Sequence, residues 1–134
     1  MQLTELTSAQ IEKYRKRSIS WLRKRATFYF NAFIRTRDAG QRCISCNSYN
    51  TSQASHFYSA GNYPALAYNE DNCHSACLKC NMYLSGNLVE YRKRLEQKIG
   101  HERLQQLDEL AAYHKRTVFK HDKFFLISVI LSYQ

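Results

Sequence analysis

The first forty residues carry apolar side chains at helical spacing and contain no Gly or Pro before Gly40. Apolar positions that recur every three to four residues predict one long amphipathic helix, which Gly40 is suited to end. Thr7 with Gln10 fits a capping box at its start. Leu6 with Ile11 fits the hydrophobic staple that accompanies such a box. The apolar positions that set the period are Ile11, Tyr14, Trp21, Leu22, Phe28, Tyr29, Ala32 and Phe33.

The pattern changes after this helix. Over residues 41–68 helical periodicity fails, and Gly, Asn, Ser and the only proline, Pro64, separate short apolar pieces. Such punctuation predicts short strands and loops held together by something other than a large apolar core. No internal repeat or low-complexity linker is visible, so we expect a single domain over residues 1–134.

Helical periodicity returns in the last third of the chain. Asn87 with Glu90 forms a second cap signature, and an apolar stripe follows until Gly100. Another stripe, over residues 104–111, predicts a further helix. The C-terminal run FFLISVIL is too short to reveal its period, and we favour a helix over a buried strand.

The charge of the chain is strongly basic and unevenly distributed. Twenty Lys and Arg face eleven Asp and Glu, which gives a net charge of +9. Residues 1–37 hold nine basic and two acidic side chains, whereas residues 38–81 hold two and three. Basic ends around a nearly neutral middle are typical of a protein that grips a polyanion, although a basic helix face can also be merely solvated. The candidate DNA contacts are Lys13, Arg15, Lys16, Arg17, Arg23, Lys24, Arg25, Arg92 and Arg94.

The N-terminus lacks the apolar core of a signal peptide, and the apolar run over residues 124–131 is too short to span a bilayer. We therefore expect a cytoplasmic protein with no membrane partner and no organic cofactor. Five cysteines in a reducing compartment argue against a disulfide framework. Four of them form two Cys-x-x-Cys pairs, which points to a metal.

The two pairs are Cys43 with Cys46 and Cys77 with Cys80, separated by thirty residues. Four thiolates suit a tetrahedral Zn²⁺ ion, and Cys-x-x-Cys spacing lets two sulfurs converge on one ion. Unligated or redox-active cysteines are the weaker alternative. A closed four-cysteine site has no open position for substrate, so we expect this zinc to be structural. Cys73 remains as a small buried residue or a free thiol.

Between and after the cysteine pairs lie the candidate catalytic residues. His56 stands in the segment ASHF after a predicted short strand, Asn72 ends the segment NEDN, and Asn81 follows Cys80. Taken singly, each is more often structural, but their order resembles the HNH, or ββα-metal, nucleases. The segments RDAGQRCISC, HFYSAGNYPALAYNEDNCHSACLKCN and SGNLVEYRKRLEQKIG further resemble the phage NinG (Rap) recombination endonucleases, over roughly residues 30–110.

The resemblance implies a role for each matched position. His56 falls at the general base, Asn72 at the asparagine that braces the catalytic loop, and Asn81 at a ligand of a catalytic divalent ion. It also implies DNA cleavage at branched recombination intermediates such as Holliday junctions and D-loops. Cys43, Cys46, Cys77 and Cys80 take the positions of the structural zinc.

The chemistry agrees with these roles. A neutral imidazole can take a proton from the water that attacks phosphorus. Mg²⁺ or Mn²⁺ can neutralise charge on the phosphate and prefers oxygen ligands. The sequence departs from the broader HNH pattern at Ser55, where an aspartate or histidine often binds the ion. Asn81 and Ser55 would hold the ion weakly, unless Glu70 or Asp71 compensates.

We predict no catalytic role for the remaining histidines. His74 lies near the second cysteine pair and either hydrogen-bonds a thiolate or packs within the loop. We expect the other three, His101, His114 and His121, at the surface.

The sequence thus predicts an α+β fold with a small zinc-stapled ββα-metal core, HNH-like and of treble-clef type. A basic helix over residues 1–39 precedes this core at 40–86, and a helical part over 87–134 follows it. The first alternative is a non-catalytic zinc-containing DNA-binding module with a degenerate HNH site. The second is a protein-interaction adaptor that uses FFLISVIL as an oligomer surface. Paired cuts at a junction would suit a homodimer, but the sequence leaves the oligomeric state open.

Overall fold

The computed structural model describes residues 7–134, apart from the side chain of Arg116. Within this range the fold is α+β, as predicted, with five α-helices and one antiparallel sheet of two strands. Short 3-10 turns and one π-helical turn connect them at Pro64–Leu66, Glu70–Asn72 and Lys79–Tyr83. The main elements are α1 (Ser8–Arg15), α2 (Ile19–Arg37), β1 (Gln53–His56), β2 (Cys73–Ala76), α3 (Leu88–Ile99), α4 (His101–Arg116) and α5 (Lys123–Tyr133).

The N-terminal helix is divided in two, so the prediction of one continuous helix was wrong. Ser18 has extended backbone angles and its side chain accepts a hydrogen bond from the Trp21 N–H. A serine in a helical pattern can cap a new helix as readily as continue an old one, and here the cap forms. The capping box of Thr7 and Gln10 is confirmed at the start of α1. The expected staple residue Leu6 lies outside the described residues.

One apolar core joins the two ends of the chain. Buried positions of α2, spaced four residues apart, pack against α5, and Tyr14 of α1 and Cys73 of β2 complete the cluster. The C-terminal run is helical, as predicted, because its aliphatic side chains fill this core. Most of the run therefore packs inside the molecule, although Phe124 at its start is 62% exposed. The buried residues of α5 are Leu126, Ile127, Val129 and Ile130.

A second core lies on the other side of the sheet, where α3 and α4 pack with Cys43, Cys77 and Cys80, whereas Cys46 is exposed. Gly100 separates these two helices, as predicted. The cap signature at the start of α3 does not form, however. Asn87 has a left-handed backbone, with φ of 51°, and its side chain caps nothing. That side chain lies instead 3.8 Å from Cys80 Sγ, because the tight turn before α3 directs it to the cysteines.

The sheet stands between the two cores and presents one face to each. In β1, Ala54 packs against the first core. From the other side, the Tyr91 hydroxyl of α3 donates to the Ser55 carbonyl at 2.6 Å. Because side chains alternate along a strand, Ser55 and His56 project from opposite faces of the sheet. None of the helices described in residues 7–134 is long and apolar enough to cross a membrane.

Candidate functional site

The four paired cysteines converge on one point. Their Sγ atoms all lie within 4.8 Å of one another, and those of Cys46 and Cys77 are 3.7 Å apart. Four sulfurs bound to one tetrahedral zinc ion at about 2.3 Å are separated by about 3.8 Å. Cys43, Cys46, Cys77 and Cys80 thus form a cluster that could hold a zinc ion, as predicted.

Hydrogen-bonding groups approach several of the sulfurs and favour their thiolate forms, whereas burial raises the pKa of Cys80 to about 12. The backbone N–H groups of Ser45 and Cys80 point to the sulfurs of Cys43 and Cys77, each at 3.4 Å. The Ser48 hydroxyl lies 3.2 Å from Cys46 Sγ, and its hydrogen bond lowers the pKa of Cys46 to about 6. Donors directed at sulfur stabilise the charged form that a metal requires. The donor set therefore fits a structural zinc ion.

His56 ends β1 and lies half-buried beside the first core. Its Nε2 is 2.7 Å from the Ala67 carbonyl oxygen, which can only accept, so Nε2 carries the proton. In the neutral ring the lone pair is then on Nδ1, which lies 4.0 Å from the thiol of the fully buried Cys73. Burial lowers the pKa of His56 below its ordinary value, and the bond to Ala67 offsets this only in part. The imidazole is thus held neutral and in one tautomer, as a base requires.

Asn72 holds the segment that connects the two strands. Its Oδ1 accepts the Tyr58 N–H at 2.8 Å, and its Nδ2 donates to the carbonyls of Tyr58 at 2.9 Å and Leu66 at 3.0 Å. The side chain is fully buried. It therefore joins the beginning of this segment to the turn that carries Ala67, the residue that orients His56.

His56 opens onto a cleft of about 580 Å³ between α2, the connecting segment and the loop before α5. Four residues of α2 spaced four apart line one wall. Their amide, hydroxyl and guanidinium groups give this wall polar chemistry beside the imidazole. The α2 residues are Ile19, Arg23, Thr27 and Asn31, and the opposite wall includes Pro64, Tyr68, Lys120 and His121.

Sequence analysis missed two residues of this cleft. His121, expected at the surface, is half-buried: its Nε2 lies 2.8 Å from the Pro64 carbonyl and its Nδ1 accepts from Arg23 Nε at 3.3 Å. It stacks on Phe125, with ring centroids 5.3 Å apart. His121 thus positions the Arg23 guanidinium at the cleft. Asn31 Oδ1 is buried and has no hydrogen-bond partner among the described residues. No sequence motif marks either residue.

The expected ligands of the catalytic ion do not meet His56. Ser55 is 1% exposed, and its hydroxyl has no hydrogen-bond partner in the described part of the chain. The Asn81 amide lies 3.4 Å from Gln53 Oε1, at the other end of β1 from His56. Neither residue lines the cleft. This arrangement does not assemble a divalent-ion site from Ser55 and Asn81 beside the imidazole.

The two acidic residues considered as substitute ligands are engaged elsewhere. Glu70 Oε2 accepts from the Tyr133 hydroxyl at 2.9 Å. Asp71 forms an ion pair with Arg103. Both carboxylates line a second cavity, which does not include His56.

The basic residues predicted to contact DNA on α1, on α2 and in the turn between them form an exposed surface, and one of them, Arg23, reaches the cleft. Arg15 pairs with Glu12 at 2.9 Å. The rest of the set, Lys13, Lys16, Arg17, Lys24 and Arg25, is exposed to solvent. This end of the molecule therefore offers a cationic face to a polyanion.

The two arginines predicted on α3 bind within the chain. Arg92 makes two hydrogen bonds to the Asp108 carboxylate, at 3.1 and 2.7 Å. Arg94 donates to the Ser45 carbonyl and approaches Glu90 at 3.5 Å. These contacts join α3 to α4 and to the first cysteine pair, so both arginines have internal partners that compete with phosphate.

His74 has a packing role and touches no thiolate. Its Nε2 lies 2.8 Å from the Asp71 carbonyl, and its Nδ1 accepts from Arg37 at 3.1 Å. Burial, and next the charge of Lys98, lower the pKa of His74 to about 4. The same cluster contains Asp38, whose carboxylate binds Arg37, Lys98 and the Ser75 N–H. The Asp38 carboxylate thereby connects α2 and α3 to β2. His101 is exposed, as expected. The same expectation was wrong for His114, which is half-buried because its ring packs against that of Phe119, with centroids 5.8 Å apart.

The comparisons with known proteins agree on one family. The sequence model of the family described as "Bacteriophage Lambda NinG protein" matches residues 3–127. The chain is 39% identical over 109 residues to "Protein ninG" of Escherichia phage lambda, which covers 80% of this chain and 52% of that protein. It is 38% identical over 109 residues to "Protein ninG" of Salmonella phage P22, and this match covers 80% of this chain and 52% of that protein. "Protein ninG" of Escherichia phage 933W is 37% identical over 111 residues, and this match covers 81% of this chain and 55% of that protein.

No solved structure matches the chain significantly. The chain spans about half the length of the curated relatives it matches. The family match covers nearly all of this chain, including both cysteine pairs, His56 and the first half of α5. The chain therefore belongs to the bacteriophage lambda NinG protein family.

Proposed function

We propose that this chain is a DNA endonuclease that hydrolyses phosphodiesters at branched recombination intermediates such as Holliday junctions and D-loops. His56 acts as the general base, and the four-cysteine zinc cluster stabilises the fold that holds it. The observation that carries this proposal is the orientation of His56. Its Nε2–H is fixed by the Ala67 carbonyl, its Nδ1 lone pair is retained, and it lies in a cleft that also contains a guanidinium.

This geometry supports the following proton transfer. Nδ1 of neutral His56 takes a proton from a water molecule, and the water oxygen attacks phosphorus as the bond to the leaving oxygen breaks. Arg23, held by His121, binds the phosphate and offsets the negative charge that develops on it. Asn72 keeps the connecting segment, and so the Ala67 carbonyl, in place.

We further propose that Mg²⁺ or Mn²⁺ supports cleavage. A hard cation supplies charge neutralisation at the phosphate and the leaving oxygen. Ser55 and Asn81 do not converge beside His56, so these two residues would not hold the ion there. Asn31 Oδ1, buried in the cleft wall without a partner among the described residues, offers an oxygen there.

The second candidate is a non-catalytic zinc-containing DNA-binding module. It is favoured by the separation of Ser55 and Asn81 from His56, which is the arrangement expected of a degenerate HNH site. Both candidates share the cationic face of α1 and α2, so DNA binding alone does not distinguish them.

The discriminating experiment incubates the purified chain with four-way, flapped and linear DNA, with and without added Mg²⁺ or Mn²⁺. The endonuclease proposal predicts cuts in branched DNA that require the added ion. Salt-dependent binding without cleavage of any substrate would reject the endonuclease and support the binding module.

A further inference from the structure

One side of α2 carries aromatic rings and cations that the His56 cleft does not use. Four of its residues stand at positions i, i+3, i+4 and i+7 and line a shallow cavity of about 220 Å³. Such spacing places them on one helix face, away from the stripe that α2 buries. We call this surface the aromatic notch, formed by Trp21, Lys24, Arg25 and Phe28.

The two rings of the notch differ in their exposure. Trp21 is half-buried and packs against the first core, with its ring centroid 6.3 Å from that of Tyr14. Phe28 is 58% exposed, and the Tyr29 ring meets it edge-on at 5.4 Å. Trp21 therefore forms a fixed floor, whereas Phe28 presents a free ring surface to solvent.

Cations surround these rings. The Arg17 guanidinium lies 4.5 Å from the Trp21 ring centroid, and that of Arg25 lies at 5.3 Å. Lys24 is exposed at the edge of the notch. Within residues 7–134, none of these three cations forms an ion pair with a carboxylate. The notch thus combines apolar ring surface with positive charge that no described acidic residue neutralises.

A ligand that complements both features has a flat aromatic part and a negative charge, as a nucleotide does. Bases in a duplex are already stacked on each other and would have to unstack to reach Phe28. Unpaired bases have free faces, and each base that stacks on an aromatic side chain gains about 1–3 kcal/mol. The exposed ring therefore favours single strands, whereas the cations alone would bind either form.

We propose that the aromatic notch binds unpaired nucleotides of DNA, with a base stacked on Phe28 and phosphates at Arg17, Lys24 and Arg25. The inference rests on the proposed contact with DNA and gives it a substrate class. It does not depend on catalysis at His56. In a D-loop or a flapped substrate the notch would hold the unpaired strand while duplex DNA lies along the remaining cationic face.

The test uses Trp21, the only tryptophan of the chain, as a fluorescent reporter. The full chain is titrated with a short oligothymidylate and with a duplex of the same length, without added Mg²⁺ or Mn²⁺. The single strand should quench Trp21 fluorescence saturably. Phe28→Ala should weaken single-strand affinity about tenfold, since one stacked base is lost, and change duplex affinity by less than about twofold. Phe28→Tyr should retain wild-type affinity.

Phe124→Ala is the matched control, because Phe124 is 62% exposed on α5 and does not line the notch. It should leave both affinities unchanged. Equal losses on single strand and duplex for Phe28→Ala, or no loss on either, would overturn the proposal. Melting temperature and zinc content of each variant show that the fold is intact. Failure of the wild type to cleave DNA would reject the endonuclease but leave this result standing, so the two outcomes are separable.

Discussion

Asn72 is the residue whose removal tests most directly how the cleft is built. Asn72→Ala deletes one accepted and two donated hydrogen bonds, all to backbone groups of Tyr58 and Leu66. Each such bond contributes about 1 kcal/mol, and a buried group left unpaired costs up to about 3 kcal/mol. We expect the free energy of unfolding to fall by about 3 kcal/mol. The loss should appear as a lower urea midpoint with an unchanged slope.

Asn72→Asp sharpens the test because it preserves size and removes only the donors. Its carboxylate would face the two carbonyl oxygens that Nδ2 now contacts, in a fully buried position. We therefore expect it to be at least as destabilising as Asn72→Ala. The matched control is Asn62→Ala, at an exposed position of the same connecting segment, which should change stability by less than about 0.5 kcal/mol. An Asn72→Ala protein as stable as this control would refute the bracing role.

Three further outcomes follow from the geometry. Cys77→Ser should lose zinc and cooperative unfolding together, whereas Cys73→Ala, outside the cluster, should retain about one zinc per chain by metal analysis. His74 has a pKa of about 4 in the folded protein, against 6.5 in an unfolded chain. Between these two pH values the unfolded chain binds more protons, so the folded protein loses stability as the pH is lowered. From about pH 7 to pH 5, urea unfolding should show the wild type losing about 2 kcal/mol more than His74→Gln, and equal losses would refute the shift. His121→Phe should preserve the stacking on Phe125 but release Arg23, and should therefore lower the cleavage rate by about tenfold. The control Lys24→Gln should lower only DNA affinity. An unchanged cleavage rate for His121→Phe would show that His121 has no role in the site.

The elements that the sequence predicted are those whose causes are local. Cys-x-x-Cys spacing brings two sulfurs together whatever the rest of the chain does, so the four-cysteine cluster could be foreseen. The apolar FFLISVIL run favours burial, and the apolar stripe of the N-terminal helical region predicted a surface on which such a run can pack. The ending of α3 at Gly100 follows from the glycine itself, which has φ of 89°.

The features that escaped prediction depend on contacts between distant residues. His121 lines the cleft because the loop before α5 brings its ring within hydrogen-bond distance of the Pro64 carbonyl. The sequence pattern does not predict this contact. Arg92 looked free on its own helix, but its partner Asp108 lies on the next one. Asparagine is a common capping residue, but Asn87 has a left-handed backbone and its side chain contacts Cys80 Sγ instead of capping α3. Local patterns therefore predicted the scaffold, whereas the walls of the cleft required the fold.

The central claim is that His56 is a general base, and its substitution tests this claim most directly. The measurement is the rate at which purified His56→Ala cleaves a four-way junction with Mg²⁺ or Mn²⁺, beside the wild type and the exposed-histidine control His101→Ala. The account predicts a rate at least about 10²-fold below wild type for His56→Ala, the scale of a lost general base, with zinc content and DNA affinity unchanged. His101→Ala should cleave normally. Cleavage by His56→Ala at the wild-type rate would contradict the account.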